Sequence, residues 1–292
     1  MINTKIFKKI IITALILSFF WPIGKQVFAQ TVSPGFNPNK LIEDSVFSDN
    51  KTFGGAEGIQ KFLEQKSSIL ANTNPEFLTK LKEPSAANIK TTLEDPQPNL
   101  GRLRSAAELI WDASQSSGLN PQVILVTLNK EQGLITASQG VSSERLQRML
   151  DFSLGFGCPV ATGCSGAYPG FYYQLFGNVD AEGNRYLGAA ASLMRSFNTP
   201  GGRGPFINGR ISKVGETITI DNTQAPYNAP ALQDIVLSNN ATAALYRYTP
   251  HVFNGNYNFW RYFNEWFKYP NGTLLNVSGD PKLYIIQNGS RL

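Results

Sequence analysis

Residues 120–136 read NPQVILVTLNKEQGLIT. Asn120 followed by Pro121 marks a helix start: a side-chain acceptor for the orphan backbone N–H groups, then a residue with no N–H to lose. Val123, Ile124, Leu125 and Val126 make the next turn apolar nearly all round, the pattern of a helix buried inside a domain. At about 100° per residue, Gln122, Asn129 and Lys130 project to one side. Glu131 projects the other way, in register with Ile124, Thr127 and Leu128. A carboxyl group is therefore expected on the dry face of a buried helix, where it must be neutral or well paired. Desolvation helps such a group hold a proton at neutral pH, which is what a general acid for glycoside cleavage needs. The alternative is a helix-end Glu bridged to Lys or Arg, or tipped into solvent past Gly133.

The flanking sequence supplies the scaffold. Ser105-Ala106-Ala107-Glu108 fits a capping box, which gives Glu108 a structural role. Leu109, Ile110, Trp111 and Ala113 form the core side of that helix and Gly118 ends it, so it should pack against the Asn120 helix as a hairpin. Further helices are expected over 57–70, 143–151, 181–197, in SNNATAALYRY (238–248) and in NFWRYFNEWF (258–267), where Phe259, Phe263, Trp266 and Phe267 share a core face. Residues 82–100, with three prolines, read as a linker. Gly215 between Ile211–Val214 and Thr217–Ile220 suggests a small β-hairpin or a pair of short strands, and the tail alternates like strands around an Asn288-Gly289 turn.

Composition narrows the chemistry. Lys5, Lys8 and Lys9 precede the apolar run IIITALILSFF and then WPIGKQVFAQ, with Val27 and Ala29 at signal-peptidase spacing, so residues 1–29 read as a secretory signal. A membrane contact is expected only through that segment if it is retained. The segment carries four of the 26 bases and no acid, which leaves 22 bases against 21 acids, a net of +1. The chain gives no electrostatic reason for a nucleic-acid partner. The two cysteines, Cys158 and Cys164 in GCPVATGC, read as a disulfide pinning a surface loop in an exported protein, worth about 2 kcal/mol for so small a ring. A single histidine, His251, far from both, leaves no metal-ligand set and little room for a nucleophilic triad. Carboxylate chemistry remains, and no cofactor is called for.

LNPQVILVTLNKEQGL resembles the catalytic-helix segment of the lysozyme-like superfamily, the soluble lytic transglycosylase and goose-type lysozyme group, and Glu131 falls on the acidic Glu of that segment. GFYYQ (170–174) resembles the Gly-Leu-Met-Gln segment of transglycosylases, with Gly170 and Gln174 at its ends and one extra residue between. ALYRYTP (244–250) resembles their Ala-x-Tyr-Asn-x-Gly-Pro segment, with Tyr246 on the tyrosine and Pro250 on the proline. The chain is more similar still to a group of secreted bacterial proteins with a lysozyme-like domain, some labelled haemagglutinin, over roughly residues 36–268. It departs from the transglycosylase pattern at Gln132 for Ser, Arg247 for Asn and Thr249 for Gly.

These readings give a mainly helical α+β protein: an N-terminal accessory segment (30–100), a lysozyme-like domain (101–268) with a small β-hairpin insertion, and a short β-hairpin tail (269–292). The resemblance implies an exported, monomeric, peptidoglycan-cleaving enzyme in which Glu131 acts as acid and then base on glycan strands. Gln174 and Tyr246 rank first as substrate-binding residues, ahead of Phe171, Tyr173 and Tyr248, whose rings suit the apolar faces of sugars. A hydrolytic route would draw a second acid from Glu182, Glu216 or Asp221. The rival expectation is a non-catalytic cell-wall-binding or adhesive protein using the same groove.

Overall fold

The computed structural model describes residues 32–84, 95–96, 102–137, 140–157, 168–179, 182–222, 231–269, 272–276, 281–287 and 290–292. The expected signal at 1–29 and the expected Cys158–Cys164 disulfide lie outside the described residues, as does most of the expected 82–100 linker. Val32–Leu292 form one compact unit, α+β and mainly helical.

The helices in chain order are α1 (Asp44–Phe47), α2 (Ala56–Gln65), α3 (Pro75–Lys80), α4 (Ala106–Ser117), α5 (Pro121–Gln132), α6 (Ser143–Asp151), α7 (Phe171–Phe176), α8 (Ala189–Asn198), α9 (Asn240–Tyr248) and α10 (Asn258–Phe267). The boundaries of α4 and α5 are written in local sequence. The Ser105 hydroxyl accepts from the Glu108 N–H while the Glu108 carboxylate accepts from the Ser105 N–H, and Gly118 closes the helix in the left-handed region. Asn120 caps α5 through the Gln122 N–H, with Pro121 at the first helical position. Every residue of α5 from Val123 to Asn129 is buried, and α5 packs against both α4 and α10. Phe259, Phe263, Trp266 and Phe267 are buried on α10, as their spacing predicts.

The segment expected to be accessory is part of the same packed unit. Residues 33–52 run across it as a strap held by polar contacts that depend on distant partners. The Leu41 N–H donates to Thr242 Oγ1 at 3.0 Å, Asn239 Nδ2 donates to the Ile42 carbonyl at 2.7 Å, and Asn120 Nδ2 donates to the Val46 carbonyl at 2.8 Å. Deeper in, the fully buried Arg104 guanidinium is shared among Glu83, Asp95 and Asp112 at 2.7, 2.6 and 2.8 Å, and Tyr172 donates its hydroxyl to Asp95 at 2.7 Å. Burial works against the charge on Arg104, but the carboxylates around it hold it above its ordinary value.

The sheets are small and all antiparallel. Strand β1 (Gly177–Val179) pairs with β2 (Arg185–Leu187), β3 (Phe206–Ile207) with β4 (Arg210–Ile211), β5 (Thr217–Asp221) with β6 (Leu232–Val236), and β7 (Leu274–Asn276) with β8 (Leu283–Gln287), which also pairs with β9 (Ser290–Arg291). The tail thus forms strands on either side of Asn288-Gly289, two residues outside the described ones. Short strands lie on either side of Gly215, as the second of the two expectations has it, but they do not pair with one another as a hairpin. Ile211 pairs back to Phe206, while Thr217–Asp221 takes a partner 11 or more residues further on. The helix expected over 181–197 starts only at Ala189, because Arg185–Leu187 is a strand. Gly177 and Gly188 permit that crossing: a Cβ on Gly177 would lie 1.9 Å from the Tyr186 carbonyl oxygen, and one on Gly188 2.0 Å from that of Leu175.

Candidate active site

Glu131 is the penultimate residue of α5, two residues beyond the fully buried stretch. It is not on a dry face. Its side chain is 25% exposed, and Oε1 receives Lys130 Nζ at 2.6 Å, which is the helix-end ion pair weighed above as the alternative. The surprise is Lys130, whose side chain is only 4% exposed. Its ammonium also donates to Thr249 Oγ1 at 2.7 Å and lies 5.5 Å from the Tyr248 ring centroid. Asn129, expected on the polar side with it, is buried too and accepts from the N–H and hydroxyl of Thr136 at 3.1 Å each. Both polar residues are turned to protein partners across the helix end.

The Glu131 carboxylate forms part of the wall of an open cleft of about 800 Å³. Facing it are Gly155 and Phe156 from the loop after α6, Leu193 and Arg195 from α8, Arg203, and the stretch Arg247–His251 at the end of α9. Glu131 Oε2 packs against Gly155. That loop is fixed from behind by Gln174, which is fully buried. Gln174 Oε1 accepts from the N–H groups of Leu154 and Phe156 at 3.2 and 3.0 Å, and Nε2 donates to the carbonyls of Phe156 and Tyr168 at 2.9 and 3.2 Å. All four of its amide hydrogen-bonding positions are taken, so it supports the cleft wall and has none to offer a sugar.

Of the two tyrosines of this segment expected in the groove, Tyr248 lines the cleft and Tyr246 does not. Tyr246 is fully buried and donates its hydroxyl to the Pro38 carbonyl at 3.0 Å, which fixes the strap and not the cleft. Burial holds its phenol far above the ordinary value. Tyr248 lies at the cleft instead. It donates to the Leu154 carbonyl at 2.6 Å and stacks on Phe156, with centroids 6.0 Å apart. Burial first, and the Glu131 charge second, hold the Tyr248 phenol well above its ordinary range, so it remains a donor. Phe171 is a core residue, and Tyr173, half-buried edge-on to Tyr172, does not line the cleft. A two-residue helical step separates Tyr246 from Tyr248, enough to carry a side chain from the core to the cleft.

Glu131 is the sole carboxylate lining the cleft among the described residues. Glu216 is bridged to Arg210 at 2.8 Å on another face, and Glu182 and Asp221 are exposed outside the cleft. The sequence reading missed the positive side of the cleft. Arg195, Arg203 and Arg247 all line it, and none of the ion pairs among the described residues involves them. Burial, then the charges of Arg203 and Arg195, push the Arg247 guanidinium below its ordinary value. The departure of Arg247 from the transglycosylase Asn was the one visible signal of this.

A cavity of similar size, about 820 Å³, opens between the strap and α10. Its Glu43, paired with Lys40 at 2.8 Å, and its Asp49 are both exposed, so the cavity offers carboxylates in solvent and no partly buried acid. The Glu131 cleft is the better candidate. No family model, curated protein or solved structure matches the chain.

Proposed function

We propose that this chain is an exported peptidoglycan-cleaving enzyme of the lytic transglycosylase type, built on a lysozyme-like fold. The observation that carries the reading is the placement of Glu131 at the end of a buried helix, on the wall of an open cleft in which it is the sole carboxylate among the described residues. A one-carboxyl site suits a transglycosylase. Protonated Glu131 would give its proton to the glycosidic oxygen as the bond from the muramoyl C1 breaks. The resulting carboxylate would take the proton of the muramoyl C6 hydroxyl as O6 bonds to C1, leaving a 1,6-anhydro sugar. A hydrolytic route wants a second acid placed to activate water, and none lines the cleft among the described residues.

Lys130 sets the condition on this chemistry. Its ammonium lies 2.6 Å from Oε1, so the acid step would require that this contact open when glycan enters the cleft. The same ion pair favours a second reading, a non-catalytic wall-binding protein in which Glu131 is held permanently as a structural anion. Mass spectrometry of sacculi digested with the mature protein decides between them. Anhydro-muropeptides support the transglycosylase, reducing-end muropeptides a hydrolase, and binding with no release the adhesive protein.

A further inference from the structure

Three guanidiniums from separate parts of the chain meet in the Glu131 cleft. Arg195 comes from the last turn of α8, Arg203 from the turn that follows, and Arg247 from the last turn of α9. The backbone builds this grouping deliberately. The Arg203 N–H donates to the Ser196 carbonyl at 3.0 Å, and Gly202 is seated against α9, its would-be Cβ 3.1 Å from Asn240 Oδ1. Helices α8 and α9 also pack directly on one another. The one carboxylate in the cleft is already matched by Lys130, so the three arginines leave a local positive surplus in a chain whose charges are otherwise close to balanced.

A solvated surface patch would explain Arg195, which is exposed, but not the others. Arg203 and Arg247 are half-buried, and Arg247 bears a cost from its burial and from its two like-charged neighbours. Like charges held together without a counter-charge are unfavourable in the free protein, and an incoming anion removes that cost. Guanidinium forks match carboxylates in paired hydrogen bonds, whereas neutral sugar hydroxyls give no reason to gather three of them.

We infer that Arg195, Arg203 and Arg247 form an anion subsite of the Glu131 cleft that receives the carboxylates of the peptides attached to the glycan strand. The assignment of those carboxylates to wall peptides rests on the wall-glycan reading above; the anion site itself does not. Glycan whose peptides keep their carboxylates is then the preferred ligand, and glycan whose peptide carboxylates are amidated a poor one.

The test uses the mature full chain and a free stem peptide with its carboxylates intact, which has no glycosidic bond. The peptide should raise the melting temperature of the wild type and do so less as salt increases. The Arg195→Gln/Arg203→Gln/Arg247→Gln protein should show no shift, while the triple Arg→Lys protein, which keeps the charge, should retain part of it. If the triple Gln protein fails to fold, single Arg247→Gln, expected to weaken peptide binding about tenfold, takes its place. A peptide that stabilises wild type and the Gln variant equally, or neither, overturns the subsite. In parallel, pull-down compares sacculi, sacculi freed of phosphodiester polymers, and sacculi whose peptide carboxylates have been converted to neutral amides. Loss of binding on amidation is expected; loss only on removal of the phosphodiester polymers would overturn the carboxylate assignment in favour of phosphate. Because no arm reads cleavage, a protein that binds peptide but releases no muropeptide would sink the enzyme reading and leave this one standing.

Discussion

Gly155 approaches the Glu131 carboxylate so closely that a Cβ there would lie 2.6 Å from Oε2, and its φ of +65° is one that side chains rarely adopt. The residue that faces the acid is therefore constrained twice, by contact and by backbone.

Gly155→Ala should accordingly displace the Glu131 side chain and strain the loop. We expect a stability loss of about 1–2 kcal/mol in urea unfolding and a fall of about tenfold or more in muropeptide release. An Ala variant with wild-type turnover and stability would contradict the approach described.

Glu131→Gln keeps volume and hydrogen-bonding shape but has no transferable proton. Release of muropeptides should disappear while the circular dichroism spectrum and melting temperature stay close to wild type. Release at a near wild-type rate would remove Glu131 from the chemistry.

The two tyrosines should separate cleanly. Tyr248→Phe leaves the Leu154 carbonyl without its donor beside the acid, and turnover should fall about 10- to 100-fold, equivalent to about 1.4–2.7 kcal/mol of barrier. Tyr246→Phe leaves the Pro38 carbonyl unpaired instead, and should cost about 1–3 kcal/mol of stability with little change in turnover. Kinetics showing the opposite pattern would restore the alignment that put Tyr246 in the site.

Arg104→Met should be among the most damaging changes outside the cleft. It strands Glu83, Asp95 and Asp112 together, and removing one partner from a buried ionic group costs about 3–5 kcal/mol. A melting temperature within a few degrees of wild type would show that the hub is not needed.

Glu108 supplies a pH signature. The Arg102 guanidinium, against some burial, and then the Ser105 N–H hold its carboxyl below the ordinary 4.5. A carboxyl with a depressed folded-state value adds stability at pH above its unfolded value and loses it as pH falls through the folded one. The stability gap between wild type and Glu108→Gln should be at most about 1 kcal/mol at neutral pH, given its exposure to solvent, and should close as pH falls through the lowered folded-state value. A gap that widens on acidification would contradict the assignment.

What could be read ahead of the structure was local. The Ser105–Glu108 box, the Asn120-Pro121 start and the Gly118 stop each concern groups within a few residues of one another, and each stands where expected. Most of the differences involve distant partners. Tyr246 is decided by a carbonyl 208 residues away at Pro38, and Gln174 by a loop 18 to 20 residues back. Strand β5 is decided by residues 232–236, beyond a stretch that carried no strand reading. The arginine grouping joins positions 195, 203 and 247, which no periodicity connects. Lys130 was placed by helical angle alone, a rule that fails in the last turn, where side chains follow the partners they can reach.

The strap and the Arg104 hub also set where the protein can be cut. A recombinant fragment beginning at residue 101 would contain every residue that lines the Glu131 cleft. Yet it would lack Glu83 and Asp95, leaving Arg104 with Asp112 alone, and would take Pro38, Leu41 and Ile42 away from Tyr246, Thr242 and Asn239. Helix α9 would then lose its anchorage just upstream of Tyr248 and Arg247. Such a fragment, drawn by sequence likeness to a catalytic domain, is a poor reagent for enzymology, and an inactive preparation of it would say nothing about the intact chain.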